Sequence, residues 1–359
     1  MVSGWLVKSP ARFGPATRAG RLAVNTRGWW MMCLALALMG AGLTIALFRP
    51  ASPLQAVPMA NLDEFAQDRA PPKVNLPPFD AARALKHLAD ICAIGTRVSG
   101  SPGMEKQQKL LEKHFTDQGA KVTWQKFEGR QKSSRATAPM ANLIASWHPD
   151  RPVRVIICSH YDTRPRADQE TERRRKEQPF LSANDGGSGA ALLMEMARHM
   201  KDLPCELGVD FVLFDGEEWV LEPEDEYFHG SKHFAAEYKK QRAAGKTRYR
   251  SAILLDMIAG KEPRFPVEQN SWWSAPRLVE EVYSIAVEQN ATFFEPRKFS
   301  STPVQDDHVP LNAAGIPAID IIDFEYPHWH KITDTPENCS PEGLTQVARV
   351  LFAWLQRVR

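Results

Sequence analysis

The chain has 359 residues, 43% of them hydrophobic and 25% charged, with a formal net charge of +2. That length and apolar content suffice for one large α/β domain plus extra segments. The near-neutral charge argues against nucleic acid or any other polyanionic partner.

In chain order, the first feature is a basic N-terminus over residues 1–27, where Lys8, Arg12, Arg18, Arg21 and Arg27 all precede the first acid, Asp63. Gly28–Phe48 follows as an almost uninterrupted apolar stretch without charge. About 20 such residues cross a bilayer as a helix. Basic residues on its N-terminal side predict a single-pass anchor with the N-terminus cytoplasmic and the remainder exported, periplasmic or extracellular. A cleaved signal peptide is the competing reading, disfavoured because the stretch after Arg49 offers no clear small-x-small site. Residues 49–78 are rich in proline, which resists helix, and read as an extended spacer.

Residues 79–359 are predicted to form a three-layer α/β/α sandwich around a mostly parallel mixed sheet. Val122–Phe127 and Ala141–Trp147 read as its first strands. Val155–Cys158, Val209–Phe214, Ile253–Leu255 and Ile316–Ile322 are apolar runs of the kind that form buried, largely parallel strands. Gly186–Met200 reads as a helix buried through Leu192, Leu193 and Met196. Ser340-Pro341 is expected to cap a final helix with Leu344, Val347, Leu351 and Leu355 on one face. Arg164–Gln178 is a charge run and reads as a solvated surface loop near a cleft mouth. Of the five cysteines, Cys33 lies in the apolar stretch, Cys158 reads as a buried thiol, and no CxxC spacing marks a cysteine metal site.

Metal-liking side chains follow the apolar runs: His160 and Asp162, Asp185, Glu217 and Glu218, Asp256, and the later His330. In an open α/β sheet the functional crevice lies beyond the carboxyl ends of the strands, so these residues can converge. Catalytic zinc takes three imidazole or carboxylate ligands and keeps one position open. Asp185, Glu218 and His330 supply that set, and the neighbouring Glu217 is free to act as general base.

Taken together, HYD at His160–Asp162, NDGGSG at Asn184–Gly189, FDGEE at Phe214–Glu218, LLD at Leu254–Asp256 and the late His330 resemble the zinc-dependent M28 aminopeptidases and their relatives, the animal-type glutaminyl cyclases. GTRVSGSPG at Gly95–Gly103, followed by an amphipathic helix with Leu110, Leu111 and Phe115, fits the same family. The resemblance runs from about Phe79 to Arg359. QDDHVP at Gln305–Pro310, Trp329-His330, LLDMIAG and the run Glu224–Ala235 are similar to the cyclases, whereas NDGGSG has the peptidase form. Pro223 stands where animal cyclases carry a substrate-facing Trp. The resemblance also implies that their disulfide is absent, because Cys158 lies one residue off and the partner position is Ala190.

A cyclase would convert N-terminal glutamine of peptides or proteins to pyroglutamate with release of ammonia. Glu217 would move the proton, Asp256 and Asp306 would share its network, and Gln305 and Trp329 would bind substrate. Asp162 would support the site from behind. One Zn2+ is implied for a cyclase. A peptidase would hold two, the second on His160 and Asp256 with Asp185 bridging, and would hydrolyse N-terminal residues. A metal-free binding domain of the same fold is a third reading, disfavoured because every ligand position carries a competent residue.

Overall fold

The computed structural model describes residues 74–359. The basic N-terminus, the apolar stretch and nearly all of the proline-rich spacer therefore lie outside the described residues, among which no helix is long and apolar enough to cross a membrane. The strands are β1 (Lys121–Arg130), β2 (Thr137–Trp147), β3 (Val153–His160), β4 (Gly208–Phe214), β5 (Arg248–Asp256), β6 (Phe265–Val267), β7 (Phe294–Phe299) and β8 (Ala318–Ile322). Six form one mixed sheet in the order β1-β2-β4-β3-β5-β8, and β6 pairs with β7 in a small parallel ribbon. The four strands β4, β3, β5 and β8 are parallel, while β2 is antiparallel to both its neighbours, β1 and β4.

The apolar runs occupy the parallel strands because both faces of the sheet are covered. Along β3, Val155 and Ile157 face one core and Ile156 and Cys158 the other. The first core is closed by helices α1 (Ala81–Cys92), α2 (Pro102–Asp117), α4 (Ser188–Met200), α7 (Pro276–Glu288) and α9 (Pro341–Arg357). The second is closed by α5 (His229–Ala243) and α8 (His308–Ala313). Two short helices, α3 (Arg173–Lys176) and α6 (Gln269–Ser274), and a 3-10 turn at Pro336–Asn338 complete the helices among the described residues. The result is an α/β fold with helices on both faces of a mixed sheet.

Two local expectations need correction. The helix expected from Gly186 starts at Ser188, since Gly186 takes a φ of +73° that no α-helix contains. Ser340 precedes α9 but makes no side-chain cap; its hydroxyl donates to the Gly260 carbonyl at 3.2 Å. Leu344, Val347, Leu351 and Leu355 are fully buried as expected, and Cys92, Cys158, Cys205 and Cys339 are buried free thiols.

Candidate metal centre and catalytic pocket

Register puts the chemistry at one edge. His160 at the end of β3 pairs with Phe214 at the end of β4, and Asp256 at the end of β5 pairs with Ile322 at the end of β8. The turns beyond these ends therefore meet. His330 Nε2 lies 3.1 Å from Glu218 Oε2 and 3.5 Å from Asp185 Oδ2. His160 Nε2 lies 3.1 Å from Asp185 Oδ1 and 3.3 Å from Asp256 Oδ1. Asp185 thus presents one oxygen to each histidine. Three overlapping groups of metal-ligand atoms result, Asp185–Glu218–His330, His160–Asp185–Asp256 and His160–Glu217–Glu218.

The donor chemistry fits a divalent cation. Both Glu218 oxygens, Asp185 Oδ2 and Asp256 Oδ1 are buried without a well-formed hydrogen bond. Burial and the neighbouring Asp185 push Glu218 up to about 8. Burial opposes the charged form of His330, yet Glu218 and Asp168 carry it up to about 9. A cation among them reverses this logic, holding the carboxylates ionised and the imidazole neutral. His330 Nδ1 is held by Asp168 Oδ1 at 2.9 Å, the carboxylate–imidazole pairing that orients a metal-binding histidine.

Backbone clamps position the ligands. Asp334 accepts the N–H groups of Asn184 at 2.9 Å and Asp185 at 3.1 Å. Asp162 does the same for Glu217 at 3.0 Å and Glu218 at 3.2 Å, which fixes the backbone that carries both glutamates. The buried Arg97 guanidinium donates to the carbonyls of Leu181 and Ser182, tying the segment before Asp185 to the GTR motif. At Gly186 a Cβ would sit 2.8 Å from His160 Cε1, so only glycine lets this turn pass behind the imidazole. His330, Met257 and Phe228 all take positive φ, at +52°, +48° and +64°. Each such residue costs roughly 1 kcal/mol or more, and here they gather around one pocket.

Carboxylates outnumber cations beside the ligands. Glu217 is pushed well above the ordinary range, first by burial and then by Asp306 and Glu218 against the pull of His160. Asp306 is raised likewise by burial and by Asp256 and Asp307. Burial and mutual repulsion thus disfavour full ionisation of Glu217 and Asp306 together.

A pocket of about 430 Å³ opens over this group, lined by Gln305 and Trp329 as well as Glu217, Glu218, Asp256 and Asp306. The Arg164–Gln178 run is not simply solvated, which corrects the reading from charge alone. Its start is folded in: Arg164, Ala167 and Glu170 are buried, Asp168 holds His330, and Arg164 lines the pocket. Arg164 donates to Asp168 at 2.9 Å and to the Tyr227 hydroxyl at 3.1 Å. Exposed Pro223 lies on the neighbouring cavity, and Tyr227 and Phe228 supply aromatic wall to the catalytic pocket. Asp168, Arg164 and Asp334 were not singled out from sequence. An Asp or Arg in a charged run carries no local mark of burial, and only the late histidine hinted that a carboxylate should stand behind it.

Fold and site together match a class, the α/β enzymes with a candidate divalent-metal site beyond the carboxyl ends of the parallel strands of a mixed sheet. Residues 142–355 match the model of peptidase family M28, and the chain belongs to that family. It is 49% identical to the crystal structure of Fimbriiglobus ruber glutaminyl cyclase, covering 79% of this chain and 97% of that one with a TM-score of 0.78. A leucine aminopeptidase precursor from Bacteroides thetaiotaomicron is 28% identical, with 80% and 100% covered and a TM-score of 0.74. The glutaminyl-peptide cyclotransferase of Gloydius blomhoffii is 24% identical over 288 residues, 71% of this chain and 75% of the relative.

Proposed function

We propose that this protein is a zinc-dependent glutaminyl-peptide cyclotransferase that converts N-terminal glutamine of peptides to pyroglutamate and ammonia. The observation that carries the reading is the high identity to a bacterial glutaminyl cyclase across nearly that enzyme's whole length. Asp185, Glu218 and His330 would hold the zinc, which when bound would supply Lewis acidity towards the γ-carboxamide. Trp329 and Gln305 hold the glutamine side chain in the pocket, and bury the reacting groups away from bulk water. As the α-amine nitrogen bonds to the γ-carbon, a Glu217 carboxylate oxygen takes its proton. The same oxygen returns that proton to the departing nitrogen, which leaves as ammonia. Asp306 and Asp256 keep Glu217 able to do both by sharing its proton network. The test is to give the purified protein a glutaminyl dipeptide and an aminoacyl amide. Ammonia release with ring closure supports cyclisation, and a freed amino acid refutes it.

Aminopeptidase activity is the second reading, favoured by the His160–Asp185–Asp256 group. Two zinc equivalents in the wild type, one of them lost in His160→Ala, would move the assignment there.

We also infer that residues 28–48 anchor the enzyme with its catalytic domain exported, on the strength of the one-sided basic residues. A reporter active only outside the cytoplasm, fused after Pro78, should give signal. Signal only from a cytoplasmic reporter would refute that orientation.

A further inference from the structure

A second cavity of about 300 Å³ adjoins the catalytic pocket, and the two share the side chains of Ile322 and Phe324. Phe299, at the end of β7, lines this cavity but not the catalytic pocket. Phe299 is 43% exposed and Phe324 37%, and they are two of only four large apolar side chains left exposed among the described residues. Phe324 stands 5.0 Å from Trp329, ring to ring, and Phe299 stands 5.9 Å from Trp272. Aromatic surface therefore continues from the catalytic wall into the second cavity. Arg264 and Lys298 on the lining both pair with one carboxylate oxygen of Glu295, at 2.9 and 2.6 Å, so their charges are matched within the wall, and the two rings share the lining with Ser300, Ser301 and Glu325. Exposed aromatic surface concentrated in a cavity marks a binding surface.

We infer that this cavity is a subsite for the peptide chain that follows the N-terminal glutamine, and that it takes an apolar or aromatic side chain. The inference rests on the reading of the catalytic pocket as the seat of that glutamine. A peptide must leave the pocket past its shared wall to enter the cavity. Because Ile322 and Phe324 line both cavities, the residues that directly follow the glutamine pass these side chains on the way to Phe299. The rings of Phe299 and Phe324 then flank the entering side chain.

The test compares kcat/KM for ammonia release from Gln-Gly amide, Gln-Gly-Gly-Gly amide and Gln-Gly-Phe-Phe amide, using the full-length protein. The wild type should prefer the aromatic peptide to the all-glycine one by roughly tenfold, mainly through KM. Phe299→Ala should reduce that preference to below about twofold, leave the dipeptide rate unchanged, and Phe299→Leu should keep part of it. Equal rates for the two tetrapeptides in the wild type, or a preference that survives Phe299→Ala, would overturn the subsite. If even the dipeptide releases no ammonia, the cyclotransferase reading fails instead. Equilibrium binding of the same two tetrapeptides then judges the subsite alone, with equal affinities refuting it.

Discussion

The parallel strands bury charge at both their ends, and the two ends treat it in opposite ways. At the amino end, Arg154 of β3 grips Asp210 of β4 through two bonds of 2.9 and 2.6 Å. The same carboxylate accepts the Tyr249 hydroxyl at 2.8 Å and the Ser146 hydroxyl at 2.5 Å, while Arg154 also donates to the carbonyls of His148, Trp147 and Val209. At the carboxyl end, Asp185, Glu218 and Asp256 crowd two imidazoles and leave buried oxygens without donors. A satisfied buried network holds strands in register, whereas an unsatisfied one is stable only with a further partner. The first serves the fold, and the second serves chemistry.

That contrast breaks most visibly at the ligands. Asp185→Ala, Glu218→Ala and His330→Ala should each release zinc and lose measurable turnover, while His160→Ala should keep most of the metal if one zinc is bound. Metal content after dialysis, read beside ammonia release, is the check. Retention of full zinc in any of the first three would misplace the centre.

Next in size is Glu217→Gln, expected to lower kcat by about 10²–10⁴-fold with zinc content unchanged. If the variant loses metal instead, the two glutamate roles are reversed. On the structural end, Arg154→Met should cost about 3–5 kcal/mol, because it strands a buried carboxylate. Denaturant unfolding should show that loss, and kcat/KM per folded molecule should stay at the wild-type value. A stable variant with impaired catalysis would erase the distinction between the two ends.

Glu268 sharpens the comparison through pH. Burial pushes its carboxyl up, but the His308 ring 3.2 Å away and the N–H groups of Val304 and Asn270 hold it at about 2, against an ordinary 4.5. A depressed folded value stabilises the fold above the unfolded value and loses that contribution as pH falls towards the folded one. Roughly 3 kcal/mol should therefore be present above about pH 4.5 and gone near pH 2. In metal-free protein, Glu268→Gln should unfold more easily than wild type at pH 5, with the gap closing by pH 2. A constant gap would show that the carboxylate is not the source. The smallest effect is expected of Asp168→Asn, which should weaken zinc affinity by about 10–100-fold without unfolding the protein. Unchanged affinity in a zinc competition titration would make the His330 contact incidental.

Much of this was legible in the chain. The apolar runs before His160, Asp215 and Asp256 are long and β-branched enough to mark parallel strands, and the acids and imidazoles after them follow from where such sheets place function. The boundaries failed where one backbone angle mattered, as at Gly186, or where a hydroxyl had a nearer acceptor than the helix, as at Ser340. The resemblance implied substrate-binding roles for Trp329 and Gln305, and both line the pocket. Tyr227 and Phe228, which also wall it, follow Pro223 and Asp225 in an irregular stretch that no periodicity flags.

By itself the sequence determined the six strands of the main sheet, though not the β6-β7 ribbon, together with the sheet edge that carries the chemistry and the residue types able to bind zinc, because hydrophobic runs and ligand chemistry are local properties. Only the tertiary structure decided that Asp162 and Asp334 clamp the backbone of the ligand turns, and that Asp168 leaves its charge run to hold His330. Those pairings join residues up to 162 positions apart. Their geometry depends on how strand ends level and loops fold over them, which no short window of sequence contains.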